Sequence, residues 1–243
     1  MKSSVSEKKE FRFGSYVYPY DLIRHERKTL SLTVMPDLLI CVKCPTRADE
    51  NRVELFLRKK WFWLEKQLTF FGKYKNRKYE REYISGESVY YLGRQYQLVV
   101  KQGSADRVVL SRGVLLVSTT KLVTNKAFTK YLISSWLDGR MLIVFKERLA
   151  IAAENFGFKN SPVFDIRSMK LRWGSCVRRK KIILNSKLVH VSKDCIDYVI
   201  THEFCHTRHK NHDKSFYKLL DIKFPKWKET KEKLELMGSL IQQ

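Results

Sequence analysis

With 243 residues, 44% of them hydrophobic and 13% aromatic, the chain can bury one large core or two small ones and is not a disordered polymer. Its 48 Lys and Arg against 25 Asp and Glu give a formal charge of +23, a field that draws polyanions such as nucleic acid, acidic protein or an anionic membrane surface. No apolar run approaches the ~20 residues of a membrane span and the N-terminus lacks the apolar stretch of a secretion signal. The odd set of five cysteines reads as the reduced thiols of a cytoplasmic protein.

Beyond a polar start, Phe11, Phe13, Leu30, Leu32 and Val34 alternate at a period of two, and Leu38–Val42 forms a short apolar run stopped at Pro45. Both patterns predict strands. From about Asp49 the period changes: Val53, Phe56, Leu57, Trp61, Leu64 and Leu68 recur at helical spacing. A basic run with interleaved tyrosines follows, from Lys73, Tyr74 and Lys75 to Arg77, Lys78 and Tyr79. Lys and Arg neutralise phosphate while aromatic rings stack on bases, so this run is either a nucleic-acid contact or a solvated loop. Strands are predicted again over Val89–Val100 and Val108–Val117, between turns at Gly86, Gly93, Gly103 and Gly113. From Asn125 one long helix carries Phe128, Leu132, Trp136, Phe145 and Leu149 to an end near Gly157. The change from strands to helix places a boundary near residue 122, dividing a strand-rich region 1–122 with one helix from a second part, 123–243. No internal repeat stands out.

Val163–Ile166 and Lys170–Trp173 read as strands, followed by Gly174, a basic turn at Arg178, Arg179, Lys180 and Lys181, and the strand Ile182–Leu184. Ser192 is the expected N-cap of the next helix, with Asp194 in its first turn. That helix carries His202-Glu203-Phe204-Cys205-His206, and four of the chain's six histidines lie between 202 and 212. At i and i+4, His202 and His206 share one helix face, the arrangement in which two imidazoles bind zinc and the Glu between them acts as general base.

A catalytic zinc takes three protein ligands and keeps one position open for water. His209 lies on the same face, but at 1.5 Å rise per residue it stands ~10 Å along the axis from His202, beyond the span of bonds of about 2 Å. The third ligand must come from chain that has left the helix and turned back. Asn211 is a good left-handed terminator, and His212 follows it. His212 is therefore the expected third ligand, and His209 a polar residue of the last turn. Downstream, Asp213 is expected to cap a short helix bearing Phe216, Leu219 and Leu220, and an amphipathic helix with Trp227, Leu234 and Met237 closes the chain.

Arg172-Trp173-Gly174-Ser175-Cys176, Ile183-Leu184-Asn185, Ile196-Asp197-Tyr198-Val199, His202-Glu203-x-x-His206 and Asn211-His212 occur in one order at short spacing. Together they resemble the YgjP-like family of metal-dependent hydrolases, which is similar around its metal site to the SprT-like metallopeptidases. Tyr20–Ile23 and Arg27–Leu30 look like that family's opening strands. The resemblance implies an α+β fold with a zincin-like core: a backing helix, a small sheet and the H-E-x-x-H helix. It implies Zn2+ held by His202, His206 and His212, with Glu203 as base and a peptide or protein as substrate. Zincins commonly hold an extended peptide against a sheet edge; the Arg172–Cys176 or Ile182–Asn185 strand could serve, making Trp173, Gly174 and Asn185 candidate substrate contacts. Asp197 is expected either to orient a ligand or, more readily, to pair with Arg172. Two other classes stay open. One is a nucleic-acid-associated protein, in which Arg178, Arg179, Lys180 and Lys181 bind phosphate and hydrolysis acts on bound proteins or on a non-peptide substrate. The other is a structural zinc protein, against which an intact Glu203 argues.

Overall fold

The computed structural model describes residues 6–35, 38–72 and 81–241. The fold is mixed α+β, and the chain forms two compact units that divide at Tyr79–Glu80. The change of period near residue 122 falls inside the second unit. Among the described residues, no helix is long and apolar enough to cross a membrane.

In the first unit, strands β1 (Ser6–Phe13) and β2 (Tyr16–His25) form an antiparallel hairpin, and β3 (Ser31–Val34) and β4 (Ile40–Pro45) form another. The hairpins join through parallel pairing of β2 with β4, giving the order β1-β2-β4-β3. Helix α1 (Glu50–Gly72) lays Val53, Leu57, Leu64 and Phe71 against Leu22, Ile40 and Val42.

The second unit begins with the same plan. Strands β5 (Ser88–Tyr91), β6 (Arg94–Gln102), β7 (Arg107–Ser111) and β8 (Val114–Thr119) make two hairpins joined by parallel β6 and β8, in the order β5-β6-β8-β7. Helix α2 (Lys126–Asn155) follows, capped by the Asn125 side chain, which accepts a bond from the Phe128 N–H. The two four-strand-and-helix segments thus repeat a topology that sequence periodicity does not display, because strand order leaves no residue-by-residue trace.

After α2 come β9 (Val163–Arg167), β10 (Gly174–Val177) and β11 (Lys181–Asn185), with β11 central, parallel to β9 and antiparallel to β10. Residues 170–173, expected as strand, are irregular. Asn185 engages this stretch: its side-chain amide donates to the carbonyls of Met169 and Arg172, and its backbone N–H to that of Trp173. A 3-10 helix over Ser186–His190 leads into α3 (Lys193–Arg208), with α4 (Lys214–Lys223) and α5 (Trp227–Ile241) beyond it. Ser192 is the N-cap residue of α3, but its hydroxyl makes no capping bond and donates to the Cys195 sulfur instead.

The core of this unit is built on α3. Its fully buried Ile196, Ile200 and Phe204 meet Phe145 and Leu149 of α2 and Ile182 and Leu184 of β11. The start of α3 is set by the β5–β6 turn. Leu92 and Gly93 donate backbone bonds to the carbonyls of Val189 and His190, and a His190 ring nitrogen lies 2.7 Å from the Tyr90 carbonyl. A Cβ at Gly93 would lie 2.8 Å from backbone atoms of Ser192, and Gly93 takes a φ of +78°. Gly93→Ala should therefore destabilise the protein by roughly 2–4 kcal/mol, combining left-handed strain with overpacking. Gly113→Ala, at φ +82° with open space around it, should show only the strain of about 1–2 kcal/mol. Equal shifts of the two denaturation midpoints would refute the close approach.

Candidate metal centre

One face of α3 is committed to the core, and the facing side presents His202 and His206 one turn apart, their ring centroids 5.1 Å apart. The helix ends at Arg208, and His209 leaves it extended, with φ −120° and ψ 120°. Asn211 is not among the residues with positive φ, so the reversal is made by this extended exit rather than by a left-handed Asn. The returning chain places His212 Nε2 3.0 Å from His202 Nε2 and 3.1 Å from His206 Nε2. The His209 ring stays out of the cluster; its contribution is its backbone carbonyl, 3.0 Å from His206 Nδ1.

That contact fixes a tautomer. A carbonyl only accepts, so His206 Nδ1 carries the hydrogen and Nε2 presents a lone pair to the cluster. The three rings rest on Phe216, fully buried, with centroid separations of 5.0, 4.8 and 4.6 Å to His202, His206 and His212. Phe216 is held by its backbone N–H, which donates to the capping carboxylate of Asp213. Nothing in the sequence pattern separates Phe216 from an ordinary core residue.

The donor set fits a divalent cation. Ligand atoms of His202, His206 and His212 all lie within 4.8 Å of one another. Bonds of about 2.0–2.1 Å in a tetrahedral arrangement need nitrogens ~3.3 Å apart, close to the observed spacing. Protonation suits the cluster poorly: burial, then the neighbouring His212 and His206, push His202 down to about 3, and burial lowers His212 as well. His202 Nδ1 is buried without a hydrogen-bond partner, and the ring is oriented by packing on Phe216 and by the contact of its Nε2 with His212.

Glu203 points into the same cleft and is only 6% exposed. Burial raises its carboxyl to about 7 against the opposing pull of the Cys176 backbone N–H and the Arg172 charge. A Cβ at Gly174 would lie 2.8 Å from Glu203 Oε1 and 3.0 Å from Val199. Gly174 thus makes room for the Glu203 side chain. The cleft, about 880 Å³, takes its walls from Trp173, Gly174 and Tyr198 as well as the histidines and Glu203. Burial raises the Tyr198 hydroxyl far above its ordinary value, so it keeps its proton in neutral solution. Trp173 also packs on α5, where a Cβ at Gly238 would meet its ring at 2.6 Å. Asn185 is buried and does not line the cleft; it holds the chain that leads into β10.

Asp197 pairs with Arg148 of α2 rather than with Arg172. The pair is two-pronged, with Arg148 Nε 2.6 Å from Asp197 Oδ1 and a second contact from Arg148 to Asp197 Oδ2. It ties α3, which carries His202 and His206, to the helix behind it. Arg178 and Arg179 stand at the cleft, on a turn where both take positive φ, 49° and 60°. Lys180 and Lys181 do not line it, and Lys181 faces Asp165 at 3.3 Å. The Lys73–Tyr79 run lies outside the described residues.

The sequence pattern of the YgjP-like metallopeptidase domain matches residues 28–236. The chain belongs to that family. This YgjP-like protein is a metal-dependent peptidase by family, and the match runs through both compact units. Among solved structures, the metallopeptidase zymogen of Pyrococcus abyssi abylysin is similar at 21% identity and a TM-score of 0.33, over 35% of this chain and 87% of its own. No curated protein matches.

Two outcomes follow for the YgjP-like site. His212→Ala should lose most bound divalent metal while His209→Ala keeps it, as read by elemental analysis after dialysis; the reverse pattern would reassign the third ligand. In metal-free protein, Glu203 holds its proton between about 4.5 and 7, where the unfolded chain has released it. Its contribution to stability is present below about 4.5 and lost as pH rises through 7, by a few kcal/mol. The depressed His202 acts oppositely, losing stability as pH falls from 6.5 toward 3. The Glu203 share is therefore read as the difference between wild type and Glu203→Gln in denaturation midpoints of the metal-free proteins. Parallel pH profiles would show that Glu203 is not desolvated.

Proposed function

We propose that the protein is a zinc-dependent peptidase in which Glu203 is the general base. The observation that carries this reading is the convergence of three imidazole nitrogens beside a buried carboxyl in one cleft. Three neutral imidazoles suit zinc among the common divalent ions. Bound there, Zn2+ would acidify a coordinated water and polarise the scissile carbonyl.

The protein's own groups account for the remaining steps. His202, His206 and His212 would hold the ion, and the His209 carbonyl keeps the His206 ring in the tautomer that leaves its Nε2 lone pair free. Glu203 takes the proton from the attacking water and returns it to the leaving nitrogen. A carboxyl held near neutrality can do both, because its proton affinity is matched to the working pH. Its bond from the Cys176 N–H and its contact with Gly174 fix the carboxyl opposite the middle of β10. A structural zinc site would need a fourth protein ligand, and the described residues offer three. Cys205 is fully buried and does not line the cleft.

Glu203→Gln should retain the metal and the fold yet lose peptide hydrolysis by about 10²–10⁴-fold. The measurements are metal content and initial rates on a quenched peptide library. Wild-type rates in the metal-loaded variant would remove Glu203 from the chemistry.

A further inference from the structure

The charges around the cleft are arranged about β10. Arg172 lies just before this strand, and Arg178 and Arg179 just after it. Lys210 and Lys231 also line the cleft, making five cations against two carboxyl groups, Glu203 and Glu235. Glu203 feels the Cys176 N–H and the Arg172 charge, and Glu235 the Lys231 charge. Among the described residues, Arg178, Arg179 and Lys210 have no ion pair with a carboxylate of the cleft. Elsewhere in the same unit Arg148, Lys181 and Lys193 each reach one. The Val177–Lys180 turn adds a second observation. Its closing bond runs from the Lys180 N–H to the Val177 carbonyl at 3.0 Å, and its two central residues occupy the left-handed region. Asn and Gly fill such positions at little cost, and Arg does not. Two arginines therefore occupy a strained turn at the cleft.

β10 is an edge strand among the described residues, with the carboxyl of Glu203 opposite its middle. At about 3.3 Å per residue, the six steps from Arg172 through β10 to Arg178 span at most ~20 Å. An extended peptide lying along that edge spans the distance in about six residues. Resting on the peptidase reading above, we propose that the substrate is an acidic peptide segment, bound extended along β10. One carboxylate meets Arg172 and another meets Arg178 and Arg179, on opposite sides of the cleaved bond.

The test uses three otherwise identical quenched peptides carrying Glu, Gln or Lys three residues from the bond on each side. They are assayed on the zinc-loaded full chain, and their binding is measured to zinc-loaded Glu203→Gln. The Glu peptide should exceed the Gln peptide by about tenfold in kcat/KM and in affinity, with the Lys peptide weakest and the preference fading with added salt. Arg178→Asn with Arg179→Gly keeps residue types suited to the turn, and should collapse the Glu-to-Gln ratio toward one without loss of thermal stability. A wild-type ratio near one overturns acidic selection while leaving the peptidase reading intact. Tighter binding of a single-stranded oligonucleotide, displacing the Glu peptide, assigns the arginines to nucleic acid and overturns it too. Failure of the zinc-loaded protein to bind or cleave any of the peptides overturns the peptidase reading, and this proposal with it.

Discussion

Three imidazole lone pairs aimed at one point form an arrangement that free side chains in water would avoid. Each ring could take a proton or a water of its own, so convergence has to be enforced by the surrounding structure. In this protein the enforcement is the burial of α3. Ile196, Ile200 and Phe204 lock the rotation of the helix about its axis, and the Arg148–Asp197 pair fixes it to α2. Phe216 then supplies the surface on which all three rings lie. Fully burying one large apolar side chain contributes about 1.5–3 kcal/mol. Placement of the histidines thus draws on the stability of the whole second unit rather than on bonds among them.

The same burial sets the chemistry of Glu203. A carboxylate in water would be too weak a base to take a proton and too strong an acid to keep it. Removing water raises the carboxyl toward neutrality, while the Cys176 N–H limits how far it rises. Gly174 connects these facts, because a side chain at that position would occupy the space of the Glu203 carboxyl. The glycine that looks from sequence like a place for substrate to approach is first a place for the Glu203 carboxyl.

The convergence of three histidines at α3 was legible from spacing, since His202 and His206 share a face by helical periodicity and helical rise ruled out His209 in favour of a returning His212. Glu203 was legible for the same reason. Other features depend on partners distant in sequence, which no local pattern encodes. Asp197 chose Arg148, 49 residues away, and not the nearer Arg172. Residues 170–173 have strand-like composition, yet Asn185 engages their carbonyls and holds them irregular. Periodicity marked the change from strands to helix near 122, but a compact unit is defined by what packs together. β7 and β8 pack on α2 across that point, so the change lies within a unit.

The repeated four-strand-and-helix plan shows how one topology serves two ends. In the first copy, α1 buries a single stripe, Val53, Leu57, Leu64 and Phe71, while Leu55 and Phe62 are exposed. In the second copy, α2 is 30 residues long against 23 for α1, and its length is divided between two tasks. Thr129 and Ile133 near its start are buried, Ile133 with the β5–β8 sheet, while Met141, Phe145, Leu149 and Ala153 belong to the core around α3. At 1.5 Å per residue, the 7 residues of difference add ~10 Å of helix, about two further turns. Leu149, Ala152 and Ala153 of the core around α3 lie on those added turns, with Phe145 and Arg148 just before them. A helix that merely covered its own sheet would have no surface left to carry α3, and the histidines would have nothing to hold their register.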